Sequence, residues 1–94
     1  MALMQIFEAQ MDATAKDFTM NEDAKIVNLV VKDNLPTILY MQGDLTADVT
    51  RKFFLIEDTQ EIDFNDRFYR YVGSVVIDLS IIHVYEDILN EALA

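Results

Sequence analysis

The stretch from Arg67 to Glu86 (Arg-Phe-Tyr-Arg-Tyr-Val-Gly-Ser-Val-Val-Ile-Asp-Leu-Ser-Ile-Ile-His-Val-Tyr-Glu) constrains the fold of this chain more than any other. Two runs of β-branched and aromatic residues flank a break at Ile77-Asp78-Leu79-Ser80. Val, Ile and Tyr have little χ1 freedom to lose and pack well on a pleated backbone, so the stretch reads as a central β-hairpin. Strict alternation puts Tyr69, Tyr71, Gly73, Val75 and Ile77 on one face of the first arm, with Phe68, Arg70, Val72, Ser74 and Val76 on the other. The second arm sets Leu79, Ile81, His83 and Tyr85 against Ser80, Ile82 and Val84. Both faces are largely apolar, which predicts that both are covered.

The rest of the chain repeats the pattern. Met4 to Ala9 reads as a short strand, and in Ala13 to Asn21 the polar Asp17, Thr19 and Asn21 alternate with Phe18 and Met20. Asn21-Glu22-Asp23 is a polar turn. Lys25 to Lys32 is a buried strand with Val27, Leu29 and Val31 opposite Ile26 and Val30, ended by Asp33-Asn34-Leu35-Pro36 because Pro cannot donate to a central ladder. Thr37 to Gln42 is its hairpin partner. Gly43-Asp44 closes that strand, and a loop or single helical turn over Asp44 to Asp48 leads to a strand over Val49 to Glu57, in which Phe53 and Leu55 face away from Phe54 and Ile56. Glu57 to Asp66 then places Glu57, Asp58, Glu61, Asp63 and Asp66 in an exposed loop anchored by Ile62 and Phe64. From Glu86 to Ala94 the period changes: early carboxylates suit a helix dipole, and Ile88, Leu89 and Ala92 share a helical face, so a short terminal helix is predicted over 86–94. The expected fold is mainly β: one domain over 1–94, a compact antiparallel sheet arranged as a small sandwich or open barrel of about six to seven strands, with that helix at the end.

Charge narrows the function. Seventeen carboxylates against seven Lys and Arg give a net charge of −10, which repels nucleic acid and anionic lipid. The same acidic surface either keeps the domain soluble or, as a nucleic-acid mimic, competes for a basic groove of a host protein or complex, built to hold a phosphate backbone. The absence of Cys removes disulfides and thiolate metal sites. No basic leader precedes an apolar run, and no segment approaches the roughly 20 apolar residues of a membrane-spanning helix. A soluble, cytoplasmic protein is expected. The apolar fraction of 52% exceeds the roughly 45 to 50% of ordinary soluble domains, which predicts that some of it lies in a symmetric dimer interface.

Three groups of residues carry candidate chemistry. His83 is the only histidine, without a His-x-His or carboxylate cluster at ligand spacing, and reads as a packed, hydrogen-bonded side chain before a ligand or an acid–base group. Arg51, Lys52, Arg67 and Arg70 hold most of the positive charge. They either pair with the neighbouring acidic loop or, with Tyr69, Tyr71 and His83, form a site for a small nucleotide signal, since guanidinium forks match phosphate oxygens. Alternating aromatics, Tyr40, Phe53, Phe54, Phe64, Phe68 and Tyr85 among them, read as core first and as a stacking or protein-binding surface second. Two glycines cannot build a phosphate loop, and no nucleophile elbow, His-Glu-x-x-His or P-loop occurs. No catalytic residue, metal or cofactor is therefore expected.

The order of these signals also resembles a family. An Ile-Phe opening, Ala24-Lys25-Ile26-Val27, Val31-x-Asp33-x-x-Pro36, Arg51-Lys52-Phe53-Phe54, Tyr71-Val72-Gly73-Ser74-Val75 and the closing His83-Val84-Tyr85-Glu86 resemble a family of small phage and prophage proteins of unknown function. In that family an Ala-x-Ile-x-x-Val strand, an Asn-Gly-x-Pro turn, an Arg-x-Phe strand, a Tyr-x-Gly-Thr strand and a final Trp-His-Val-Phe-Glu succeed one another at similar spacing. The chain departs from it at Asp33-Asn34-Leu35, at Ile82 before His83 and in the predicted terminal helix. The resemblance implies a phage origin and a compact β fold, and it supplies no catalytic residues. The expectation is then a phage-encoded binding protein in the infected bacterium, blocking a host immune complex through the acidic loop. The alternatives are a sponge for a nucleotide signal and a structural phage protein.

Overall fold

Alternation of apolar and polar side chains sets seven strands, all antiparallel to their neighbours, in the computed structural model, which describes residues 4–43, 47–59 and 68–88. They are β1 (Gln5–Gln10), β2 (Ala15–Asn21), β3 (Lys25–Lys32), β4 (Leu35–Gln42), β5 (Asp48–Glu57), β6 (Tyr69–Ile77) and β7 (Ser80–Asp87). One sheet has the order β1-β4-β3 and the other β2-β5-β7-β6. The chain changes sheet after β1, β2 and β4. None of the described residues forms a helix long and apolar enough to cross a membrane.

The inner faces of the two sheets share one core. Ala9, Ile38 and Tyr40 from the three-stranded sheet meet Met20, Phe53 and Val84 from the four-stranded sheet, with Met11 closing the gap where the chain passes between them. Each fully buried side chain of this kind contributes about 1.5 to 3 kcal/mol by leaving water. Phe18, Ala24, Ile26, Leu29, Leu55 and Val72 extend the cluster. Polar stitching holds one end. The Asn21 side-chain amide donates to the Gly43 carbonyl, Asn21 N–H donates to Gln42 Oε1 at 2.7 Å, and Ala24 N–H closes the tight turn onto the Asn21 carbonyl at 3.0 Å.

Two β-bulges correct the simple alternation read from the sequence. On β6, Tyr71 pairs with Tyr85 but Gly73 pairs with the very next residue, Val84, leaving Val72 as an extra residue. The bulge reverses the parity of everything after it. Tyr69 and Tyr71 face outward, whereas Val72, Gly73 and Val75 face the core, so the five residues expected on one face are split between two. Gly73 lies under Leu29 of β3, whose Cδ2 is 3.5 Å from where a Cβ would stand. A second bulge at Val27 puts Ile26 and Leu29, three apart, on the core side and leaves Val27 exposed. Within the single chain the outer face of the hairpin is covered only in part, with Tyr71, Val76 and Ile81 exposed there.

Pro36 lies inside β4, not beyond the end of β3. It pairs with Val31 on one side, and on the other the β1 ladder stops at Gln10 and Thr37, so the missing N–H points where no strand needs it. Its carbonyl still accepts Met11 N–H at 2.8 Å. Both hairpins close on two residues with left-handed backbone, Asp33 (φ 54) and Asn34 (φ 61) in one, Asp78 (φ 50) and Leu79 (φ 68) in the other. Positive φ at both central positions is the turn whose twist matches the flanking strands. Asp and Asn tolerate it, while a branched aliphatic residue there is disfavoured by on the order of 1 to 2 kcal/mol.

The predicted terminal helix is not supported at its start. Glu86 and Asp87 belong to β7, and the Ile88 N–H continues the pairing by donating to the Phe68 carbonyl at 2.7 Å. The remainder of that prediction, 89–94, lies outside the described residues, as do 44–46 of the loop expected over Asp44 to Asp48 and the anchors Ile62 and Phe64, while Asp48 already belongs to β5.

Phe53 is fully buried at the centre of the core. Phe53→Ala should lower unfolding free energy by about 3 to 5 kcal/mol in urea titration; a loss below about 1 kcal/mol would show that the sheets do not close on this ring.

Candidate functional site

The second sheet separates the residues singled out in the sequence by the side of the strand they occupy. On β5, Arg51 and Phe53 face inward, and Lys52 and Phe54 face outward. On β6 and β7, Arg70 and Glu86 are directly paired, while Tyr69, Tyr71, His83 and Tyr85 lie on the outer side. Of the nucleotide-binding cluster expected from Arg51, Lys52, Arg70, Tyr69, Tyr71 and His83, the residues Arg51, Arg70 and Tyr71 border one cleft of about 500 Å³ with Lys25 and Glu86, while Lys52, Tyr69 and His83 lie on the outer side. Arg67 lies outside the described residues.

On the inner side, Arg51 and Glu86 form a two-pronged ion pair. Arg51 Nε donates to Glu86 Oε2 at 2.6 Å and Nη2 donates to Oε1 at 2.7 Å, the fork geometry that makes arginine–carboxylate pairs strong. Nη1 donates to the Ala24 carbonyl at 3.0 Å, tying β5 to the start of β3 across the sandwich. The Glu86 side chain is 3% exposed and that of Arg51 14%. Arg70 Nη1 lies 3.7 Å from Glu86 Oε1 on a half-exposed side chain. These four residues border a cleft of about 430 Å³ with Glu22, Thr50 and Asp87. Glu86 answers both arginines, while Glu61, Asp63 and Asp66 of the acidic loop expected as their partner lie outside the described residues. The signal was present in the sequence, because Ile82, Val84 and Glu86 share one parity, and continuing the strand past Tyr85 aims the carboxylate inward.

On the outer side, a hydrogen-bonded chain crosses three segments. The Asp58 carboxylate lies 3.1 Å from His83 Nε2, and His83 Nδ1 lies 2.9 Å from the Tyr71 hydroxyl. In the tautomer with its proton on Nε2, the ring donates to Asp58 and accepts from the Tyr71 hydroxyl at Nδ1. Both ring nitrogens are thus engaged, which agrees with a hydrogen-bonded histidine. Beside it, Tyr85 stacks on Phe54 at 5.7 Å between ring centres, Tyr69 meets Phe54 edge-on at 5.2 Å, and Tyr71 tilts against Tyr85 at 5.1 Å. The rings fill one another's faces. Among the described residues no group of three His, Asp or Glu side chains converges as a metal site.

Of the acidic loop, Glu57 closes β5 and Asp58 opens the turn after it, its N–H donating to the Ile81 carbonyl at 3.0 Å. Glu61, Asp63 and Asp66 lie outside the described residues. Elsewhere, Lys32 binds Glu8 at 2.6 Å and Lys16 binds Asp12 at 2.7 Å. The hydrogen bond from Lys32 to Glu8 raises the pKa of the ammonium, and the one from Lys16 holds the Asp12 carboxyl below its ordinary value.

Glu86→Gln leaves the Arg51 guanidinium at the edge of the core without its counter-charge and should cost about 3 kcal/mol in urea unfolding. The double variant Arg51→Met, Glu86→Leu should recover most of that loss; a double variant as unstable as the single one would refute the charge argument.

No family model, curated protein or solved structure matches the chain.

Proposed function

We propose that this protein is a non-enzymatic binding module, phage-encoded, that blocks a bacterial host complex by occupying a basic protein surface. The observation that carries the reading is the disposition of charge. Lys16, Lys32, Arg51 and Arg70, four of the seven cations, are each held by a carboxylate of the same chain. Asp17, Asp33, Asp48, Asp58 and Asp78 are exposed, so the field seen by an approaching partner is negative and accelerates encounter with a basic surface. The phage origin, and with it the host cytoplasm as the place of action, rests on the resemblance of residues 24–27, 51–54, 71–75 and 83–86 to the small phage proteins.

The nucleotide-sponge reading has less support. Arg51 and Arg70 are already held by Glu86, and of Tyr69 and Tyr71 only Tyr71 borders the cleft that they line. Calorimetry with cyclic and ADP-ribose-type nucleotides separates the two readings, because an acidic module takes up none of them.

Replacing Glu57 and Glu61 with Gln and Asp58, Asp63 and Asp66 with Asn removes five negative charges. Provided circular dichroism shows the fold intact, capture of host proteins on the immobilised variant should fall about ten-fold at low salt, and its salt dependence should flatten. Capture with unchanged strength and unchanged salt dependence would remove the reading.

A further inference from the structure

The two hairpin tips lie side by side at one end of the molecule. The Asn34 side-chain amide reaches Asp78 Oδ2 at 3.4 Å, joining the β3–β4 tip to the β6–β7 tip. Beside them a cleft of about 380 Å³ is lined by apolar Leu35, Pro36, Leu55, Ile77 and Ile82, and by the neutral Thr14, Asn34 and Ser80 as well as Glu57 and Asp78 at its polar positions. The two turns share one backbone conformation and differ in one respect. Asp33, Asn34 and Asp78 are residue types that enter the left-handed region readily, and Leu79 is not.

Leu79 is also 99% exposed. No packing within the chain compensates its backbone strain, and no local rule favours a branched aliphatic side chain at the most solvated point of a turn. Residues held in disfavoured backbone regions cluster where a partner or ligand uses them. The surroundings state what the partner offers: Asp33, Glu57, Asp58 and Asp78 are all exposed around this end, and the nearby Lys32 ammonium is bound by Glu8.

We propose that Leu79 is the anchor by which the module docks, entering an apolar socket on a partner protein whose rim carries Lys and Arg. This deepens the proposed function and rests on it, moving the centre of contact from the acidic loop to the β6–β7 tip. An apolar side chain ringed by carboxylates is the complement of an apolar pocket ringed by cations, with the buried residue supplying affinity and the rim supplying orientation and encounter rate. A second copy of this chain is a poor occupant. It would set Asp33, Glu57 and Asp78 against the same carboxylates of a partner that also carries −10.

The test uses the whole chain with two synthetic helical peptides, one with a lysine face and a leucine face and one in which the leucines are alanine. Leu79→Asn keeps the branched outline of the Leu side chain, accepts the left-handed backbone and removes the apolar surface. It should weaken binding of the lysine–leucine peptide about ten-fold, the loss expected when one buried Leu is removed from a contact. It should leave the lysine–alanine peptide unaffected and raise Tm by about 4 °C. Leu79→Met should bind like the parent. Equal binding of the lysine–leucine peptide by parent and Leu79→Asn overturns the anchor while leaving the acidic reading in place. Failure of the parent to bind either peptide overturns both. Sedimentation of the parent as a dimer that Leu79→Asn dissociates overturns the choice of partner in favour of a second copy.

Discussion

The ion pair between Arg51 and Glu86 is the contact on which the arrangement of the second sheet depends. A buried carboxylate is tolerated only when its charge and lone pairs are answered, and here two parallel donors from Arg51 do so, with Arg70 behind them. The consequence is topological. Glu86 is on β7, Arg51 on β5 and Arg70 on β6, and the third donor of Arg51 reaches the Ala24 carbonyl at the start of β3. One charged pair thereby fixes the lateral order β5-β7-β6 and pins that sheet to the other. Apolar burial of Phe53, Val84 and Met20 supplies the larger share of stability but is indifferent to small shifts in register. The fork of Arg51 is not.

The constraint also explains how β5 and β6 lie. Both are antiparallel to β7, so they are parallel to each other. The outer face of the sheet meanwhile keeps its own polar chain, Asp58 to His83 to Tyr71, which links the end of β5 to both arms of the β6–β7 hairpin. The two networks lie on opposite faces and share no residue, so each can be changed without directly breaking the other.

Much of this was legible in the sequence, and the reason is the two-residue period. The strand read over Lys25 to Lys32 has the bounds of β3, and the break read at Ile77-Asp78-Leu79-Ser80 contains the turn, whose central residues are Asp78 and Leu79. Phe53 and Leu55 were correctly set against Phe54 and Ile56 because β5 has no bulge in its pairing. Where alternation misled, a single extra residue was the cause. Val72 and Val27 are as apolar as their neighbours, so nothing in composition marks them as unpaired, yet each inverts the facing of the residues after it. Pro36 misled for the opposite reason. The rule that proline avoids central strands is a rule about one N–H, and at the end of the β1 ladder that N–H has no work. Glu86 was assigned to a helix because acidic residues after a strand suit a helix start. Its inward parity, shared with Val84, was the stronger signal.

The paired turns show which residues local structure selects and which it does not. Asp33-Asn34 and Asp78-Leu79 adopt the same backbone a few ångströms apart, under the same twist and the same exposure to water. Three of these four residues are accounted for by the turn itself. If folding were the whole of the selection at this end of the molecule, the fourth position would hold glycine or asparagine, which the geometry admits without strain. Instead it holds the most exposed large apolar side chain among the described residues, beside an apolar cleft and among carboxylates. Stability alone does not account for that choice, whereas the proposed docking on a basic surface with an apolar recess would. The two-sheet support, with its charged pair holding β7 against β5 and β6, would then present the hairpin tip to that partner with less conformational freedom to lose.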